Sequence, residues 1–226
     1  MNVLKSFAQS AKAAGIELWT LFGDLAEIWF DGGYTQAMKS RITALLAKTQ
    51  PNACTWNGYG VGANPVRWDG NESGQPPGWP TIWSTSCNGA YGQGCSPDSP
   101  GASWYPSGLD ATLQANDVWF YVEGTPLNSM STLVAYYHYT AGANGVLELD
   151  FAIDRTGQVH PAHAALYQQF GNWIRTCYSH PVAIASNAAG SMELELQFGK
   201  TASIDRLMMQ EDQALGQFII DYQVWN

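Results

Sequence analysis

Basic residues are scarce in this chain of 226 residues: ten Lys and Arg stand against 19 Asp and Glu, a formal net charge of −9. Binding a nucleic-acid backbone takes clustered Lys and Arg to displace counterions, and no such cluster is present, so nucleic acid is not an expected partner. Charge of either sign is thin, 13% of residues against roughly 25% in ordinary globular domains. No apolar run reaches the about 18 residues of a membrane-spanning helix, so no membrane partner is expected. No C-x-x-C occurs, which argues against a zinc ribbon or a thioredoxin-type site. A G-x-S-x-G elbow and a Gly-rich phosphate cradle opening a helix are also missing. What is abundant is aromatic: 13% of residues, with ten Trp, in a chain that is 46% hydrophobic. Such a chain builds a core and is not disordered. Trp joins a flat apolar face to one N–H donor, which suits cores and sugar-stacking clefts alike.

Four cysteines are present: Cys54, Cys87, Cys95 and Cys177. Cys87 and Cys95 bound a loop rich in Gly, Asn and Gln. They read as a disulfide staple, which implies an oxidising, extracellular compartment. Cys54 and Cys177 are either a second pair or two thiols. The first ten residues hold no apolar segment of the signal-peptide kind.

Hydrophobic periodicity predicts a helix over 3–14, a short buried strand over 25–30, and a helix from Met38 through Leu46 that Pro51 terminates. Further strands are expected at 53–56, 81–85, 117–122 and 146–151. Helices are expected at 129–141 and 161–178, the second opened by Pro161. Segments 57–80 and 86–116 read as long loops, and loops of that length in compact domains are usually functional. Strand, loop and helix recurring in this order predict a parallel α/β sheet, open or barrel. After Pro181 the period becomes two: Met192, Leu194, Leu196 and Phe198 alternate with polar residues. Runs 204–209 and 218–225 are also strand-like. The expected organisation is an α/β barrel-type domain over 1–180 and the start of an antiparallel β domain over 181–226.

Two carboxyls stand out. Asp31 ends an apolar strand and precedes two glycines, at the edge of a parallel sheet where ligands bind. From position alone an Asp assisting a tight turn is the commoner reading. Glu72 lies between Trp68 and Gly74, where partial desolvation would raise its pKa and suit a general acid. A solvated loop Glu is again commoner. Two carboxyls on successive strand-end loops are the minimum equipment for cleaving a glycosidic bond. His160 and His163 lack a third ligand nearby, so no metal is expected, and no cofactor. The Asn71-Glu72-Ser73 glycosylation pattern is expected to stay unused beside a working Glu72.

On these residues the sequence resembles glycoside hydrolase family 29, the retaining α-L-fucosidases. The pieces, in order, are Glu27-Ile28-Trp29-Phe30-Asp31-Gly32-Gly33, Gln50-Pro51-Asn52-Ala53, Val66-Arg67-Trp68-Asp69-Gly70-Asn71-Glu72-Ser73-Gly74, Asp117-Val118-Trp119-Phe120-Tyr121, Asp154-Arg155-Thr156-Gly157 and Leu207-Met208-Met209-Gln210-Glu211-Asp212. The resemblance implies a partial (β/α)8-type barrel, its C-terminal portion, followed by the first strands of a β-sandwich. It implies Asp31 as nucleophile, Glu72 as acid/base, and Trp29, Arg67, Trp68 and Trp119 as fucose-binding residues. The implied substrate is terminal α-linked fucose on an oligosaccharide or glycoprotein glycan. The family's adjacent histidines are absent, and Val122 stands where the family has a His. A complete eightfold barrel takes about 250 residues, so the expected barrel is incomplete. Low activity and self-association through exposed barrel edges follow from that. The alternative expectation is a non-catalytic fragment or a carbohydrate-binding or interaction remnant of the same family.

Overall fold

The computed structural model describes residues 24–58, 60–68, 72–74, 83–84, 103–104, 106–187, 190–212, 219 and 221–225. The expected helix over 3–14 and the Cys87–Cys95 staple lie outside the described residues.

Five strands form one parallel sheet: β1 (Glu27–Trp29), β2 (Cys54–Trp56), β3 (Asn64–Trp68), β6 (Ser107–Ala111) and β7 (Val146–Leu149), in that spatial order. Strands β4 (Trp83–Ser84) and β5 (Ser103–Trp104) make a separate antiparallel pair. Parallel neighbours need a crossover, usually a helix. Helix α1 (Lys39–Thr49) supplies it between β1 and β2. Its Leu46 and Ile42 pack with Ile28, Tyr34, Ala53 and Val61 into one core cluster. The helix ends at Gln50 because Pro51 cannot continue it. Helix α2 (Met130–Tyr139) connects β6 to β7, and its cap Ser129 accepts from the Thr132 N–H at 3.1 Å. Helix α3 (Pro161–Tyr178) opens with Pro161 in the first turn and His160 as cap. Leu133 of α2 and Phe170 of α3 bury against Leu113, with Leu147 and Leu149 of β7 beside them.

The register gives the sheet two different faces. Trp29 pairs with Trp56, Trp56 with Val66, Trp68 with Gly108, and Asp110 with Glu148. Side chains alternate along a strand. One face therefore carries Trp29, Trp56, Val66, Trp68, Asp110 and Glu148, and the other carries Ile28, Arg67, Leu109, Ala111 and Leu147. Gly108 belongs to the first face, and a side chain there would collide with the Trp56 ring. Glycine is the residue that lets the indole lie flat on β6.

The structure departs from the expected elements at three places. Strands β3 and β6 fall inside segments that read as loops. Both carry Pro, Gly or Asp, which are poor strand formers, and only pairing on both sides makes them strands. Segment 117–122 is not a strand but a loop with one isolated bridge at Val118. Third, the alternating run 192–198 and the run 204–209 form no ladder among the described residues, which are largely exposed there. A strand needs a hydrogen-bonded partner, and alternation does not provide one. This stretch is held by Arg206, whose guanidinium lies 5.7 Å over the Trp173 ring and 5.5 Å over Tyr178 on α3. Cys54 and Cys177 are both free thiols, so they are not a second disulfide. Asp154, in one of the family-like segments, closes a turn by accepting from the Thr156 N–H at 2.7 Å and the Gln158 N–H at 3.2 Å.

The outermost strands of the sheet meet across its inner face. Glu148 of β7 lies near Glu27 of β1 and is pushed up to about 7, first by burial and then by the charges of Glu27, Asp110 and Asp150. A carboxyl raised in the folded state leaves stability intact below its unfolded pKa of 4.5. Stability then declines as the pH rises through about 7. Glu148→Gln keeps a hydrogen-bonding side chain and removes the titration. The variant is expected to match the parent at pH 4 and to exceed it at pH 8 by about 1–2 kcal/mol, after discounting for solvent screening. Urea denaturation at the two pH values measures this.

Candidate functional site

The carboxyl ends of the parallel strands converge on one rim. Just past β1, the Phe30 N–H donates to the Trp56 carbonyl at 3.0 Å, and the Gly33 N–H closes a turn on the Phe30 carbonyl at 2.8 Å. That turn holds Asp31 out of the sheet, exposed. Behind it, Trp29 stacks on Trp56 with ring centroids 4.3 Å apart, and meets Trp68 edge-on at 6.4 Å. Three indoles from three adjacent strands thus make a continuous aromatic wall. Trp56 is fully buried and forms its base.

Trp68 ends β3, and its Nε1–H donates to Asp110 Oδ1 on β6 at 2.8 Å. Burial raises the Asp110 carboxyl, the Trp68 bond opposes this, and the negative charges of Glu72 and Asp31 raise it further. Asp110 therefore feels both of the sequence-predicted catalytic carboxyls. Asp31 comes from the turn after β1 and Glu72 from the loop after β3, so the fold brings together what the chain separates.

Glu72 is held from the opposite side. Trp119 Nε1–H donates to Glu72 Oε2 at 3.1 Å. Trp119 rides on the loop after β6, and that loop is clamped by the buried side chain of Gln114. Gln114 Nε2 donates to the carbonyls of Val118 at 3.0 Å and Phe120 at 2.9 Å, and its Oε1 accepts from the Val122 N–H at 3.1 Å. One amide side chain satisfies three backbone groups of the loop that positions Trp119.

Arg67 does not join this rim. Strand alternation turns it to the face opposite Trp68, and it is buried there. The apolar cleft of about 440 Å³ between β7, α2 and α3 is lined by Tyr137, Leu147, Tyr167, Phe170 and Ile174, and its lining holds no carboxyl.

No family model matches the chain. A protein of Oryza sativa subsp. japonica, provisionally named alpha-L-fucosidase 1, is 23% identical over 92% of this chain and 48% of its own length. A solved structure from Bacteroides thetaiotaomicron, also provisionally named an alpha-L-fucosidase, superposes with a TM-score of 0.61 at 26% identity. That match covers 75% of this chain and 42% of the other. A GH29 fucosidase of Ruminococcus gnavus, solved in complex with fucose, shares the fold with a TM-score of 0.57 at 18% identity, over 70% of this chain and 35% of that one. The chain is thus similar to proteins named alpha-L-fucosidases, in sequence and in fold. It spans about half the length of the relatives it matches. Its parallel sheet with covering helices matches part of the α/β barrel of those structures.

The structure sets Asp31, Glu72, Trp29, Trp68 and Trp119 along this rim, and beside them stand Trp56, Asp110 and Gln114, which the sequence reading did not single out. Trp56 lay in the strand expected over 53–56, with no further signal of its own. Asp110 and Gln114 lay in or beside a stretch without strand signal. A further missed contact is Tyr136 of α2, whose ring lies against the backbone of Gly74. A Cβ on Gly74 would sit 2.5 Å from Tyr136 Cδ1, at a φ of +64° that side chains rarely adopt. Gly74→Ala is expected to displace the Glu72 loop and weaken the Trp119–Glu72 bond, at a cost of about 1–3 kcal/mol. Thermal melting of the variant gives the cost, and the indole N–H resonance of Trp119 reports the lost bond.

Proposed function

We propose that the chain carries the catalytic carboxyl pair of a retaining α-L-fucosidase, acting on terminal α-linked fucose of oligosaccharides or glycoprotein glycans. The observation that carries this reading is the rim itself: Asp31 and Glu72 both act on Asp110, beside a wall of indoles at the carboxyl ends of parallel strands. Apolar sugar faces rest on indoles, and acetal cleavage takes two carboxyls in different roles.

Asp31 stands exposed on its turn and attacks the anomeric carbon. Glu72 protonates the departing glycosidic oxygen. Its Oε2 already accepts from Trp119, so the proton delivered is carried on Oε1. Glu72 then takes a proton from water as that water attacks the fucosyl ester on Asp31. Water attack frees fucose with its original anomeric configuration. Arg67, on the other face of β3, is left out of the sugar contacts.

The same reading includes a secreted protein, the Cys87–Cys95 disulfide, a second domain beginning near residue 181, and self-association through exposed barrel edges. Hydrolysis of a nitrophenyl α-L-fucoside by the purified chain, followed by NMR, tests the activity. Release of α-fucose before mutarotation is expected, and β-fucose as the first product would overturn the retaining assignment. No turnover above an Asp31→Ala control favours the non-catalytic alternative.

A further inference from the structure

We propose that Asp110 is a positioning residue of this site: its carboxyl anchors the Trp68 indole and so fixes the ring face on which the sugar rests. This rests on the fucosidase reading above and extends it to a residue that the family-like segments do not contain.

The argument begins with placement. Asp110 sits inside β6, paired to Glu148 on one side, and its side chain is only 7% exposed. An Asp in the middle of a buried parallel strand is unfavourable for propensity and for solvation. Its neighbours Leu109 and Ala111 are ordinary core residues on the other face. The burial of Asp110 is offset by one side-chain partner, the Trp68 N–H at 2.8 Å. That bond has a purpose that packing alone does not explain. Trp29 touches Trp68 only edge-on, so ring stacking leaves the Trp68 plane free to swing. Trp56, by contrast, is locked by stacking on Trp29 and by the space at Gly108. A hydrogen bond at Nε1 sets the tilt of the Trp68 ring about its χ2 axis.

The location makes the tilt consequential. The groups that face Asp110 are Asp31 from the β1 turn, Glu72 from the β3 loop, Glu148 from β7 and the Trp68 indole from β3. On the fucosidase reading, a sugar held by Asp31 and Glu72 is attacked and protonated by the two carboxyls whose charges reach Asp110. Burial and the two neighbouring carboxylates hold Asp110 above the ordinary aspartate range. The strength of the Trp68 bond therefore changes with pH as Asp110 ionises.

Two variants separate anchoring from simple core packing. Asp110→Asn keeps an acceptor of the same shape without the titration, and Asp110→Leu removes the acceptor. The Trp68 indole N–H resonance, assigned with Trp68→Phe, is expected to titrate in the unsubstituted chain. Its midpoint should lie above that of an ordinary aspartate. It should be pH-independent in Asp110→Asn and shifted upfield in Asp110→Leu. L-Fucose titrated by NMR is expected to bind Asp110→Asn within about threefold of the parent and Asp110→Leu at least tenfold more weakly. A Trp68 resonance identical in all three chains overturns the proposal, as does equal fucose affinity in Asp110→Leu. If the unsubstituted chain binds no fucose, the fucosidase reading and the sugar-positioning role fall together, while a titrating Trp68 resonance would still show the hydrogen bond.

Discussion

Asp31→Ala is expected to remove fucoside hydrolysis, lowering kcat on the order of a thousandfold or more while leaving the melting temperature close to that of the parent. The second half of that expectation follows from the exposure of Asp31, which lies on a turn closed by backbone bonds alone. Truncating it removes no packed side chain. Two substrates sharpen the comparison. Glu72→Ala should cost about 10²–10⁴-fold on a fucosyl disaccharide, whose leaving alcohol needs a proton. The same variant should lose much less on a nitrophenyl fucoside, whose leaving group departs without one. Asp31→Ala should lose heavily on both, because neither substrate can exchange its glycosidic bond for the fucosyl ester without the nucleophile. Initial rates of the two variants on the two substrates give the four values needed. Equal losses for Glu72→Ala on both substrates would remove Glu72 from the acid role.

Gln114→Leu is expected to lower stability by about 2–4 kcal/mol and to dissolve the Trp119–Glu72 contact. Leu matches Gln in approximate size, so the effect is not a cavity. It is the loss of three hydrogen bonds made by one side chain to the loop after β6. Each is worth about 1 kcal/mol net, and a buried backbone group left unmade costs more. Part of the loss is recovered because Phe120 and Val122 are exposed and their backbone can take up water. Gln114→Glu is the informative companion. It retains the acceptor for Val122 but turns a carboxylate toward the carbonyls of Val118 and Phe120. It should therefore be no better than Leu, although it is nearer in shape. Urea unfolding orders the variants by stability, and the Trp119 indole resonance reports the contact. If Gln114→Leu melts like the parent, the loop does not depend on the clamp.

Legibility followed local chemistry. Asp31 was readable because an apolar strand stops abruptly at Asp-Gly-Gly, and the structure turns the chain there. Helix α3 was readable from Pro161, from its apolar spacing and from its length. Strand β6 was not. Ser-Gly-Leu-Asp-Ala carries no strand propensity, since its Gly serves the Trp56 ring and its Asp serves Trp68. The run 192–198 shows the reverse failure: its alternation was clear, yet no partner strand stands beside it among the described residues.

What the sequence determined by itself was the inventory: a chain poor in charge and rich in indoles, with a carboxyl at a strand end and another in a Trp-Gly loop. These are local properties, set by residue type and near neighbours. The tertiary structure decided which of them share a site. Asp110 meets Trp68 across 42 positions, and Trp119 meets Glu72 across 47. Such pairs depend on the register of parallel strands, in which a shift by one residue turns every side chain to the other face. The same register separated Arg67 from Trp68, although they are adjacent in the chain. Sequence proximity could not distinguish them, because along a strand adjacent residues point to opposite sides.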